Sequence, residues 1–152
     1  MGLNQILKGK PEMVEVNVRL AENKDIDRLS LLDRWPSKET WKRKINNGEV
    51  IVLAVDCEVV GLLRYSVLWT TVPFIGLIYI EDKFQKKGYS RKLLEFTRDY
   101  LKKCGYVALL SSSQTNEPEP QAWHKHVGFR TNGIIENIDD DDVGEIVYRM
   151  LL

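Results

Sequence analysis

The sequence predicts a mixed α/β layer fold, a mostly antiparallel central sheet with helices on its faces. Two kinds of hydrophobic pattern predict it. Stretches with a period of two, or continuous β-branched runs, interleave with stretches of period near 3.6, in the order β-α-α-β-β-β-α-β-α-β-β. The strands in the middle of the chain succeed one another through short turns, which favours antiparallel pairing. A strand–helix–strand unit over Phe74–Ser112 then calls for one parallel pair with a right-handed crossover. Residues 1–152 carry no internal repeat and no low-complexity linker, so a single domain is expected.

Met1–Pro11 reads as a short polar lead with at most a frayed helical turn before Pro11. Val14, Val16 and Val18 alternate with polar residues as in a half-buried strand. Asn23 or Asp25 can cap a helix whose stripe is Ile26, Leu29 and Leu32, ended by Arg34-Trp35-Pro36. Ser37 caps a second helix, with Trp41 and Ile45 four apart on its inner face and Asn46-Asn47-Gly48 as its stop. Val50–Val55 is apolar throughout, which suits a buried strand. It turns at Asp56-Cys57-Glu58 into Val59–Leu68, a hairpin. Pro73 marks a bend before the strand Phe74–Ile80. The helix Arg91–Lys103 carries the stripe Leu93, Leu94, Thr97, Tyr100 and Leu101, with Gly105 just past its end. Next come the strand Tyr106–Ser112, a polar loop Gln114–Pro120 and a short helix Gln121–His126 closed by Gly128. Phe129–Ile138 and Glu145–Leu151 read as a last hairpin about an acidic loop.

Composition excludes several classes of function. Lys+Arg and Asp+Glu both number 22, so the net charge is zero and no overall field draws the chain to nucleic acid or a membrane. The apolar fraction of 43% is enough for a packed core without staples. Cys57 and Cys104 are far apart with no CxxC spacing, which fits two free thiols in a reducing cytosol rather than a disulfide or a metal site. No apolar run approaches the roughly 18–20 residues of a membrane span, and Met1–Pro11 lacks the apolar stretch of a signal peptide. A cytoplasmic location is the default.

The stretch richest in chemistry is Gln85-Lys86-Lys87-Gly88-Tyr89-Ser90, between a strand and a helix. The first N–H groups of a helix have no intrahelical partner and sit at the positive end of its dipole. Gly88 permits φ > 0 and a close approach of backbone to ligand. Together with Lys86 and Lys87 these groups suit a pyrophosphate. The nucleotide-triphosphate loop GxxxxGK[ST] and the dinucleotide fingerprint GxGxxG are both absent. On these six residues alone, a plain connection with solvated lysines fits equally well.

A second stretch decides between them. Gln85-x-x-Gly88-x-Ser90, taken with Asn116 and Ala122-x-His124-x-x-Val127-Gly128-Phe129, resembles the GNAT superfamily of acyl-CoA-dependent N-acyltransferases. The element order is similar to that fold nearly end to end. The resemblance implies acetyl-CoA as acyl donor, no metal, and a small-molecule or peptide amine as acceptor. It implies that Gln85, Lys86, Lys87, Gly88, Tyr89 and Ser90 wrap the CoA pyrophosphate, mainly through backbone N–H groups. Ile80 would offer its backbone to the thioester carbonyl and the pantetheine arm, and Asn116 would hydrogen-bond the pantetheine. His124 stands where the family most often has a tyrosine that protonates the departing thiolate, and an imidazole can do that work.

This chain departs from the family pattern at several positions. Ser90 replaces a Gly or Ala. The positions where relatives carry a basic Glu align with Phe74 and Ser111, so a water relay to Glu81 or Glu117, or Tyr79, stays open as the base. These losses motivate the alternative of a catalytically silent CoA-binding module. His126 is expected at the surface. Asp139–Asp142 has Gly144 at the sixth position, as a calcium loop would, but Met150 stands where a bidentate Glu is needed. It reads as a solvated loop, or as one that draws a cationic acceptor. Trp41 and Trp123 read as packing residues, whereas Trp35 lies in the loop that borders the acceptor in the resembled family. An exposed edge at the last hairpin is where two copies could pair as a homodimer.

Overall fold

The computed structural model describes residues 13–152, so the lead expected over Met1–Pro11 lies outside the described residues. The elements are β1 (Val16–Leu20), α1 (Ile26–Leu32), α2 (Lys38–Asn46), β2 (Val50–Val55), β3 (Glu58–Leu68), β4 (Val72–Ile80), α3 (Tyr89–Lys103), β5 (Ala108–Gln114), α4 (Pro118–His126), β6 (Arg130–Ile135) and β7 (Glu145–Leu151). This is the order the sequence predicts. The strands form one sheet, β1-β2-β3-β4-β5-β7-β6. Every neighbouring pair is antiparallel except β4 and β5, which run parallel as the intervening α3 requires.

Residues of β2 divide between two cores, which is why all six are buried. Ile51, Leu53 and Val55 join Leu63, Leu93, Leu94, Leu101, Leu109 and Tyr148 beneath α3. Val50, Val52 and Ala54 join Leu29, Trp41 and Leu62 beneath α1 and α2. Trp41 is fully buried, a packing residue as expected. Leu93, Leu94 and Leu101 anchor α3, each contributing about 1.5–3 kcal/mol of apolar burial. The α2 start is fixed by the Ser37 hydroxyl, which accepts from the Thr40 N–H at 3.1 Å. The β2–β3 turn places Asp56 and Cys57 at φ 48° and 68°, the twist a two-residue hairpin favours.

β5 runs Ala108–Gln114 rather than Tyr106–Ser112 and β6 ends at Ile135 rather than Ile138, and two further boundaries differ from the sequence expectation at prolines. Pro73 lies inside β4 rather than ahead of it. It precedes the single β4–β5 register pair, Phe74 with Leu110, near the strand start where a missing N–H is tolerated. α4 begins at Pro118, three residues before the expected start at Gln121. First-turn residues need no N–H and favour the φ that proline imposes, so Pro118 and Pro120 start the helix rather than prevent it.

Candidate active site

The site is a split in the sheet. β4 and β5 share only the Phe74–Leu110 pair. Just beyond it β4 carries a bulge: Arg64 pairs with Leu77 and Tyr65 with Ile75, leaving Gly76 as the extra residue. A bulge bends its strand and re-aims the residues beyond it. The Arg64 guanidinium fills the space beside it, with Nη1 2.7 Å from where a Cβ on Gly76 would stand. On its other side Arg64 Nε donates to the buried Asp33 carboxylate at 2.6 Å. The diverging strands leave a cleft of about 720 Å³.

Beyond the Phe74–Leu110 pair, alternate peptide groups of β4 face this cleft rather than β5. The Glu81 N–H donates to Val60 O at 2.9 Å, toward β3. Alternation along the antiparallel ladder then turns the peptide groups of Tyr79 toward β3 and those of Ile78 and Ile80 toward the cleft. Ile80 O already accepts from Gln85 Nε2 at 2.9 Å. The Gln85 side chain is therefore a brace between strand and turn.

The turn itself closes one end. Lys86 and Gly88 take positive φ, 60° and 78°, and Gly88 caps α3 in the left-handed conformation with no side-chain acceptor for the helix N–H groups. Among the described residues no atom lies within 4 Å of a Cβ built on Gly88, so the approach to these amides is open. Gln85, Lys86, Gly88, Tyr89 and Ser90 line the cleft. The Ser90 hydroxyl accepts from Trp123 Nε1 at 3.2 Å, tying the α3 start to α4. Trp123 packs against the core, as expected, and also forms cleft wall.

His124 stands in the opposite wall and is 3% exposed. Its ring stacks on Tyr148 at 4.2 Å, with Trp123 and Phe129 edge-on. Nδ1 lies 2.7 Å from Pro120 O, and Nε2 lies 2.7 Å from Ser111 Oγ. A carbonyl only accepts, so Nδ1 carries the proton and Nε2 of the neutral ring accepts from the Ser111 hydroxyl. Burial pushes the imidazole pKa below its ordinary value, and the Pro120 carbonyl offsets this only in part. The structure thus holds a neutral histidine whose face toward the cleft is covered by a serine hydroxyl.

Other expected residues fall differently. Ile80 lines the cleft. Lys87 and Asn116 are exposed and stand just outside its lining, next in sequence to Lys86 and Glu117, which belong to it. Glu81 is paired with Arg28, which also reaches Glu58 at 3.4 Å, and stands outside the cleft lining. Tyr79 and Glu117 do line the cleft, joined by Glu119 and Glu145. Trp35 is 91% exposed between α1 and α2, and His126 is exposed beside Arg91. In the acidic loop, Asp141 accepts from Gln114 Nε2 and from the Val143 N–H. Ser111 drew notice in the sequence only for the carboxylate it lacks. The better signal was the triplet Ser111-Ser112-Ser113, polar residues that follow Ala108-Leu109-Leu110 within one strand.

A seven-stranded sheet split between its parallel strands, with a helix start at the mouth, defines an acyltransferase-type fold. The chain belongs to the acetyltransferase (GNAT) family, whose sequence model matches residues 20–129, and is an acetyltransferase. Solved structures agree in fold. Ard1 from Thermoplasma volcanium superposes with a TM-score of 0.78 at 17% identity, covering 90% of this chain and 97% of that one. The ribosomal-protein-S18-alanine N-acetyltransferase from Escherichia coli gives 0.74 at 20% identity, covering 90% and 94%. The yncA protein from Salmonella typhimurium, solved with its cofactor acetyl-CoA, gives 0.78 at 15% identity, covering 91% and 94%. A search of curated protein sequences finds no match. Among the described residues no helix is long and apolar enough to cross a membrane, and no group of His, Cys, Asp and Glu is arranged to hold a metal.

Proposed function

We propose that this chain transfers an acetyl group from acetyl-CoA to a primary amine by direct attack on the thioester. The observation that carries this reading is the pairing of the β4–β5 split with the open α3 start at its mouth. The pyrophosphate rests on the first-turn N–H groups of α3 and on Lys86, and Lys87 and Asn116 reach it or the pantetheine from the rim. The pantetheine arm runs along β4, where the peptide groups of Ile78 and Ile80 face it. An N–H there stabilises the oxyanion as the amine adds. His124 is the catalytic side chain. It protonates the departing thiolate only after taking up a proton, because its resting form is neutral.

The acceptor enters as a cation. Glu117, Glu119 and Glu145 in the cleft lining favour an ammonium-bearing molecule, either a small amine or a peptide. We take residues 1–152 as one catalytic domain, because a single sheet runs through every described strand. We place it in the cytoplasm, which suits its two exposed free thiols. The test measures thermal shift with acetyl-CoA and free-thiol release from acetyl-CoA with a panel of amines. A shift with amine-dependent release supports the reading. A shift with no release from any amine supports the silent binding module, which the missing glutamates favour, and no shift removes both.

A further inference from the structure

Ser111 and His124 form a buried pair that the acid role alone does not explain. Both line the cleft, and they are 2% and 3% exposed. The Ser111 hydroxyl spends its one proton on His124 Nε2 and has no other hydrogen bond among the described residues. A serine oxygen keeps two accepting positions. The side of Ser111 left toward the cleft is therefore an acceptor backed by a neutral imidazole. Pro120 O holds the ring in the one tautomer that leaves Nε2 free of a proton, and Tyr148 fixes its plane by stacking. A nucleophile or proton carrier whose partner base is oriented by a third group is the pattern of an activated hydroxyl.

We propose that Ser111 is a catalytic residue that carries the reaction's proton in both directions between the reacting atoms and His124. This rests on the acetyl-transfer reading. An ammonium acceptor first releases one proton to solvent; when the resulting neutral amine nitrogen bonds to the thioester carbon, its N–H proton passes to Ser111 Oγ as the hydroxyl proton passes to His124 Nε2. When the C–S bond breaks, the imidazolium returns its proton through Ser111 Oγ to the thiolate. The sum is amine plus acetyl thioester giving amide plus free thiol, with Ser111 and His124 restored. One pair thus supplies the base that no glutamate provides and then the acid for the sulfur. It also removes the need for a charged resting histidine, which burial disfavours.

The test uses acetyl-CoA with hydroxylamine, a small amine nucleophile that needs no recognition by an acceptor site, and compares wild type, Ser111→Ala and Ser111→Cys. All three should gain the same melting-temperature shift with acetyl-CoA, which shows them folded and loaded. Thiol release should fall about 100-fold in Ser111→Ala and recover in part in Ser111→Cys, which keeps a proton carrier. In mixtures of light and heavy water, the wild-type rate should depend on deuterium fraction along a curve, because more than one proton moves. Ser111→Ala should give a straight line. Ser111→Ala turnover within about twofold of wild type, the same curvature in both, or a wild type that binds acetyl-CoA yet releases no thiol would overturn the shuttle while leaving acetyl-CoA binding intact. Failure of the wild type to shift with acetyl-CoA would overturn the acetyl-transfer reading itself.

Discussion

Gly88 offers the sharpest separation of backbone from charge. It caps α3 at φ 78°, a region that costs a residue with a side chain about 1–2 kcal/mol. Gly88→Asn and Gly88→Asp both pay that strain, and they differ in shape by almost nothing. They differ by one negative charge at the mouth of the cleft. At about 6 Å from a bound phosphate, that charge costs roughly 0.7 kcal/mol in bulk water and about 3 kcal/mol at an effective dielectric of 20. Acetyl-CoA should therefore bind about 3- to 100-fold more weakly to Gly88→Asp than to Gly88→Asn. Stability should move the other way, because a carboxylate at a helix start interacts favourably with the dipole by about 0.3–1 kcal/mol. Titration calorimetry with acetyl-CoA and urea unfolding of the free proteins measure the two effects. Equal acetyl-CoA affinity in the two variants would show that no phosphate sits at this turn.

Three more expectations rest on buried polar groups. His124→Phe keeps the stack on Tyr148 but removes both ring nitrogens. Thiol release should fall about 100-fold with acetyl-CoA affinity held within about twofold, measured by steady-state kinetics and calorimetry. His124 should also make stability depend on pH. The unfolded chain binds a proton near the ordinary 6.5 while the buried ring resists it. The stabilisation is therefore full above about 6.5 and is lost as pH falls through that value toward the lower folded pKa. Urea unfolding between pH 8 and 5 should show a shallower fall in His124→Phe, and identical slopes would count against a neutral buried ring. Arg64→Met should cost about 3–5 kcal/mol, because it strands the Asp33 carboxylate in the interior. Asp33→Leu combined with Arg64→Met should recover much of that loss in the same unfolding assay; a double variant as unstable as the single one would mean that the pair acts through shape rather than charge.

Much of the fold was legible because its signals are local. The apolar run Val50–Val55, the stripe of Leu93, Leu94 and Leu101, and Gly105 after it each state their conformation within a few residues. The prolines of α4 misled for a local reason as well. Proline breaks a helix interior but suits a first turn, and Pro118 and Pro120 are told apart only by where the helix begins. Lys87 and Asn116 were readable as residue types at the right spacing, yet their distance from the cleft depends on how the loops fold back.

By itself, the sequence determined the order of elements, the parallel crossover through α3, and the turn Gln85–Ser90 with a glycine free to take φ > 0. Each comes from periodicity, chain connectivity or the steric freedom of one residue. Tertiary structure alone decided that β4 and β5 part after a single pair, because the bulge at Gly76 depends on register with β3 and on Arg64 reaching Asp33 across the sheet. It also decided the state of His124. Its burial, its proton on Nδ1 and its contact with Ser111 come from α4, β5 and β7 closing around one ring, groups separated in sequence and joined only by packing.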